Sequence, residues 1–185
     1  MAVATPSWTG QPRVKGSSEP MRMFLLTFSL IGLQFCWGTE QTYVAPYLLA
    51  LGISKSKMSL VWVAGPLSGL IMQPIVGMIS DKSKSKYGRR RPFMVGGAIA
   101  TAICLVVLCY TAEIVGVFVT DTVLKREATI VLAVLDIYVL DFVINIVQST
   151  CRSLIVDTLP TSKQQLGSAW GKSTIQYSSI LVLKF

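Results

Sequence analysis

Apolar residues in this chain fall into long, nearly unbroken runs, with neither the two-residue alternation of a strand nor the polar outer face of a soluble helix. A helix needs about 20 apolar residues to cross the hydrocarbon of a bilayer. Residues 23–51, 58–80, 92–112 and 129–156 therefore predict four complete transmembrane helices. A fifth stretch, 167–185, carries Lys172 and Lys184 and reads as an incomplete span. Residues 1–22, rich in Pro, Gly, Ser and Thr, predict a disordered tail. They lack the apolar stretch of a cleavable signal peptide, so the first span itself directs insertion. The connections are a short loop at 52–57, a basic loop from Asp81 to Phe93, an outer loop at 113–128 and a turn after Asp157. The fold class expected is an all-α membrane protein, with 23–185 as one partial bundle.

Polar residues interrupt these runs at helical spacing. In the first span Gln34, Trp37, Gly38 and Gln41 form one stripe with Glu40 beside it. A carboxylate within a span costs about 2.5 to 3.5 kcal/mol to insert, so Glu40 faces a watery cavity or a partner, or else reaches the interface beyond Pro46. In the second span Gly65, Gly69, Gln73 and Gly77 recur every four residues and strip one face to backbone, a face another helix can approach closely. Pro66 and Pro74 predict a bend in that helix. The third span is expected only to pack. In the fourth, Asp141, Asn145, Gln148 and Arg152 follow at spacings of four, three and four and share one face. At 1.5 Å per residue the ribbon runs about 16 Å, too long to lie against lipid. Its members need water, cargo or partners on other helices, or they serve as polar glue between helices. Asp136, nearer the outer end, reads as interfacial.

Composition agrees with the runs: 52% of the 185 residues are hydrophobic and 14% charged, against roughly 25% charged in soluble domains. The net charge of +8 does not predict nucleic-acid binding, because the charges lie between apolar runs and do not line a helix face. Arg13, Lys15, Arg22, Lys163 and the six basic residues of the central loop outnumber those of the other side, Lys55, Lys57, Lys125 and Arg126. Basic residues stay on the cytoplasmic side, so the N-terminus is expected there, in a multi-pass protein of the plasma or vacuolar membrane. The four cysteines lie in spans without a CxxC pair, and histidine is absent. Histidine-based catalysis and metal sites are thereby excluded, and any proton chemistry falls to carboxylates. No cofactor and no enzymatic activity is expected.

The central loop holds more than a topological anchor requires. Asp81 ends the second span, where exposed carbonyls disfavour a carboxylate unless a cation compensates it. Gly88 suits a positive-φ turn, Arg89, Arg90 and Arg91 follow it, and Pro92 fits a first helical turn. The order predicts a latch between helices, against the simpler reading of a solvated basic loop touching anionic lipid.

With these motifs placed, the chain resembles the sucrose and α-glucoside proton symporters, of the glycoside-pentoside-hexuronide branch of the major facilitator superfamily, and its fungal members most. The resemblance is carried by Trp37 to Gln41 with Pro46 to Leu48, by Gly65 to Gly69 with Gln73 to Gly77, and by Ser80-Asp81 with Tyr87 to Phe93. It continues through Asp141-Phe142, Asn145, Gln148, Cys151-Arg152, Ile155 to Asp157, Pro160 and Ala169-Trp170. It implies a partial N-terminal major facilitator bundle. Asp81 and the loop arginines, with the Gly88 turn, would form a cytoplasmic latch. Asp141 would accept the coupling proton with Arg152 near it, Glu40 would be a second pathway carboxylate, and Asn145 and Gln148 would bind sugar hydroxyls. The expected function is that of the N-terminal part of a disaccharide–proton symporter, not transport-competent alone. The alternative is a membrane-embedded regulatory fragment that associates with a full-length transporter through the Gly65, Gly69 and Gly77 face.

Overall fold

The computed structural model describes residues 18–83, 85, 88–119, 121–159 and 161–183. Within them the chain forms seven α-helices and no strand: α1 (Glu19–Leu51), α2 (Lys55–Trp62), α3 (Ala64–Lys82), α4 (Arg91–Cys109), α5 (Thr111–Phe118), α6 (Thr122–Thr158) and α7 (Thr161–Leu183). Among the described residues four segments are long and apolar enough to cross a membrane: Pro20–Leu51, Ser56–Lys82, Arg91–Cys109 and Thr122–Thr158. The expected tail lies outside the described residues as far as residue 17, and α1 begins at Glu19, ahead of the Met23 start expected, because Pro20 suits a first helical turn. Tyr87 and Pro160 of the family motifs also lie outside the described residues.

The second span is two helices. Pro66 has no N–H for the carbonyl of Trp62 and its ring crowds that carbonyl, and the helix is interrupted there at Val63. The phenol of Tyr138 on α6 donates to the carbonyl of Leu60 at 2.7 Å, within the last turn before the interruption. Pro74, in contrast, stays inside a continuous α3.

The outer loop expected at 113–128 is mostly helical. α5 covers 111–118, and α6 starts at Thr122, where the Asp121 carboxylate accepts from the Val123 N–H at 3.1 Å and caps the helix. Mixed charge over those residues marks a helix that continues past the hydrocarbon. With 37 residues, α6 is about 55 Å long. α1 closes in the other manner, with Gly52 in the left-handed region (φ 93) and its N–H turned back to the Leu49 carbonyl at 2.9 Å. Arg126 of α6 donates to the neighbouring Leu51 carbonyl at 2.9 Å, a cation set at a helix C-terminus.

α6 is the central element and touches α1, α2, α3, α4, α5 and α7. One core cluster joins Leu30 and Leu33 of α1 to Leu140, Ile144, Val147 and Cys151 of α6. A second, toward the Gly52 end, joins Val44 and Leu48 to Ala133 and Ile137. α4 packs tightly on α6 at Gly97, where an added methyl would run into the Val147 side chain. Buried threonines 27, 101, 111, 129 and 150 donate to carbonyls one turn back, so their hydroxyls need no partner from lipid. α7 lies along α1 and is helical from Thr161. It begins ahead of the incomplete span expected at 167, and it is not among the segments apolar enough to span.

Candidate functional site

α1, α2, α3 and α6 line an open cavity of about 650 Å³. α1 contributes Trp37, Glu40 and Gln41, and α2 contributes Trp62. α6 presents Asp141, Asn145 and Gln148, the first three members of the predicted ribbon. α3 presents Gly65, Gly69 and Gln73, and the two glycines explain why the polar groups of α6 have room. A methyl at Gly65 would stand 3.7 Å from the Asp141 Oδ1, and one at Gly69 would stand 3.2 Å from the Asn145 Oδ1. The stripped face of α3 is therefore turned to α6 within this chain. Gly77, farther along, has no atom within 4 Å of where its methyl would be.

The polar groups are held in place to different degrees. Asn145 Nδ2 donates to Ser68 Oγ on α3 and to the Asp141 carbonyl, both at 2.9 Å, while Ser68 donates to the Gly65 carbonyl at 2.8 Å. This chain of bonds ties α3 to α6 beside the cavity. Glu40 is 5% exposed, so it lies inside the bundle and not at an interface, and its Oε2 has no hydrogen-bond partner. It shares the cavity lining with Asp141. Gln34, on the same predicted stripe, is buried outside the cavity lining, with Nε2 unpartnered.

One basic and one acidic placement differ from what spacing alone conveys. Arg152 does not join the other ribbon residues at the cavity. It is exposed and lines a smaller pocket of about 250 Å³ with Leu30, Ser168 and Lys172, between α1, α6 and α7. Its direction on the helix is shared with Asp141, but three turns of rise bring it among different neighbours. Asp136, read as interfacial, is 8% exposed and lies against the Cys104 thiol of α4, because α6 runs on past it for four more turns.

At the opposite end of α3 the basic loop is organised by one arginine. Arg90 is buried; its NH2 group lies 2.5 Å from Asp81 Oδ1 and its Nε lies 2.9 Å from Asp157 Oδ2, and it also donates to Ser80 Oγ. Asp81 and Ser80 belong to α3 and Asp157 to α6, so one guanidinium joins both helices to the start of α4. Gly88, at φ 100, makes the turn that returns the chain to this point. Arg89 and Arg91 are exposed on either side. Asp157 and Ser80 were not singled out as site residues by sequence. Both stood among the residues that carry the family resemblance, one as an acid at the end of an apolar run and the other as a serine beside Asp81 at the end of another, without a role of their own.

The profile of the family described as MFS/sugar transport protein matches residues 26–158. Among curated relatives, the general alpha-glucoside permease of Schizosaccharomyces pombe is 38% identical over 165 residues, covering 89% of this chain and 30% of its own length. A sucrose transport protein of Arabidopsis thaliana is 42% identical over 126 residues, covering 68% of this chain and 25% of that protein. A rice sucrose transport protein is 31% identical over 179 residues, with 90% and 33% covered. This chain thus spans a third or less of the length of these relatives.

Proposed function

The chain belongs to the MFS/sugar transport protein family, a family of multi-pass membrane transporters, and from that membership we propose that its residues form the N-terminal part of a disaccharide–proton symporter. The observation that carries the reading is the cavity between α1, α3 and α6. In an otherwise apolar bundle it gathers two carboxyls, Glu40 and Asp141, with the amides of Gln41, Asn145 and Gln148. Its volume lies within the range of small-molecule sites, and its mixture of apolar wall and few polar groups is the usual one. A neutral polyol of the sucrose or maltose kind suits such a wall. Carboxylates accept from hydroxyls, amides both donate and accept, and the rings of Trp37 and Trp62 offer flat apolar faces. The proton is the coupling ion, carried by Asp141, with Glu40 as the second carboxyl. No other cofactor takes part.

In this reading the Arg90 end is cytoplasmic, as the basic loop requires, and so is the N-terminus, in the plasma or vacuolar membrane. Asp81, Gly88 and Arg89 to Arg91 form the latch, and alternating access comes from rocking one half of a transporter against another around the cavity. The described residues supply one wall. Trp62 and Leu70 at its rim are 39% and 76% exposed, so enclosure of a sugar needs further protein and this chain alone binds without accumulating. A regulatory fragment that docks on a full-length transporter through the glycine face is less well supported, since Gly65 and Gly69 already face α6.

The test is equilibrium binding of labelled sucrose and maltose to the chain in lipid nanodiscs across pH, for the parent and Asp141→Asn. Binding that varies with pH in the parent and loses that dependence in the variant is expected. Equal, pH-indifferent binding in both, or none in either, overturns the proposal.

A further inference from the structure

Arg152 of α6 and Lys172 of α7 are both exposed, and together they line the pocket of about 250 Å³ between α1, α6 and α7, apart from the sugar cavity. We propose that this pocket binds an anionic phospholipid of the cytoplasmic leaflet, with the phosphate held between the guanidinium and the ammonium. The site is additional to the transport reading and rests on it only for which end of the bundle is cytoplasmic.

Lysine and arginine at membrane depth are costly unless water or an opposite charge meets them. Among the described residues neither of these two stands in an ion pair. Asp157, the acid nearest to Arg152 along α6, is paired with Arg90, and Asp141 is eleven residues away, about 16 Å along the helix. Two cations on one pocket also repel each other, so an anion between them relieves both. The guanidinium offers phosphate oxygens a planar fork and the ammonium a point charge. Ser168, on the same lining, adds a hydroxyl donor.

Position and shape favour a lipid over a free phosphate compound. Arg152 lies five residues before Asp157, about 7.5 Å inward of the level of Arg90, and α7 starts at that same end. Leu30, Ile155 and Val156 give the pocket an apolar wall. A methyl at Gly171 would stand 3.6 Å from the Leu30 side chain and 3.7 Å from that of Ile155, so the glycine leaves this wall uncovered. Val156 is 47% exposed, and the wall therefore continues onto the surface, where an acyl chain can lie. The volume is below the usual range for whole small-molecule ligands, which suits a headgroup whose chains stay in the bilayer. Basic pockets between membrane helices on the cytoplasmic side bind headgroups of this kind.

Native mass spectrometry of the whole chain in mild detergent, with phosphatidylserine or phosphatidylcholine of the same acyl chains added, tests this. The chain should retain phosphatidylserine in preference to phosphatidylcholine. Arg152→Gln and Lys172→Gln should each weaken retention at least about tenfold, the loss of one charge-assisted hydrogen bond. Lys82→Gln, exposed at the end of α3, should leave it unchanged. Equal retention of the two lipids overturns the proposal, as does an equal loss in Lys82→Gln, which marks attraction to basic charge at large. Glycerophosphoserine, the same headgroup without acyl chains, overturns it if bound as tightly as the lipid, since the ligand is then a free phosphate compound. Should Arg152→Gln fail to fold by circular dichroism, Lys172→Gln on the other helix decides: weakened retention supports the site and unchanged retention overturns it. No sugar enters this readout, so failure of the transport reading and failure of the lipid site are seen in separate experiments.

Discussion

The Nε of Arg90 lies 2.9 Å from Oδ2 of Asp157, joining the start of α4 to the last turn of α6 across 67 positions of sequence. Asp81 also binds this guanidinium, but the two acids are not equivalent. The Asp81 side chain is 58% exposed and that of Asp157 33%. Exposed ion pairs are worth about 0 to 1 kcal/mol, whereas stripping the partner from a buried charge costs several. Asp81→Asn should therefore lower stability by less than about 1 kcal/mol and Asp157→Asn by about 1 to 2. Arg90→Ala leaves both acids and Ser80 without their donor and should cost about 2 to 4. Thermal unfolding in mild detergent orders the three variants; a larger loss for Asp81→Asn than for Asp157→Asn contradicts the assignment.

Gly96 and Gly97 are adjacent on α4 and should respond oppositely to the same change. A methyl at Gly96 meets no atom within 4 Å, while one at Gly97 meets the Val147 side chain on the central helix. Valine is stiff about its first side-chain torsion, so it cannot swing aside. Gly97→Ala is expected to destabilise by about 1 to 3 kcal/mol, the range for overpacking. Gly96→Ala should be neutral or slightly stabilising, since alanine is the better helix former. The same unfolding assay measures both.

How much of this was legible in the sequence follows from which interactions are local. Span positions, the stripped face of α3, the sharing of one helix face by Asp141, Asn145 and Gln148, and the disturbance at Pro66 all follow from period and ring chemistry along one segment. Choosing Arg90 from three successive arginines does not, because only the arrival of α6 with Asp157 distinguishes it. Arg152 was separated from its ribbon by the same cause: the neighbours at its depth are α1 and α7, and helical spacing carries no information about neighbours. Asp136 was read as interfacial from its place toward the outer end of the apolar run, whereas packing against α4 leaves it 8% exposed. Residues 122–128 carry Lys125, Arg126 and Glu127 yet are helical, so an acid that stood near the end of the apolar run stands well inside the helix.

Tyr138 donates to the Leu60 carbonyl at 2.7 Å, close to the interruption that Pro66 causes. Tyr138→Phe removes one hydrogen bond from an exposed site and should cost about 0.5 to 1 kcal/mol. The local consequence is more specific than the global one. Amides from Val63 to Leu67 should exchange hydrogen faster in the variant while those of α4 stay as protected as before. Uniformly faster exchange would mean that the phenol supports the bundle as a whole and not this joint.

Gly69 offers a way to alter the cavity without unfolding the bundle. A methyl there would stand 3.2 Å from the Asn145 Oδ1 and 3.6 Å from the Gln73 Nε2. That is tight for the first and ordinary contact for the second, so the Asn145 amide has to give by a few tenths of an ångström. Such a shift pulls Nδ2 from its 2.9 Å bond to Ser68 Oγ and turns the amide away from a sugar hydroxyl. The loss of about one hydrogen bond, near 1.4 kcal/mol, corresponds to roughly tenfold weaker binding. Gly69→Ala is therefore expected to weaken sucrose or maltose binding about tenfold in nanodiscs with stability nearly unchanged. Gly77→Ala, where a methyl meets nothing within 4 Å, should leave binding as it is. Equal affinity in the two variants would remove Asn145 from the sugar's contacts, because only the first substitution disturbs it.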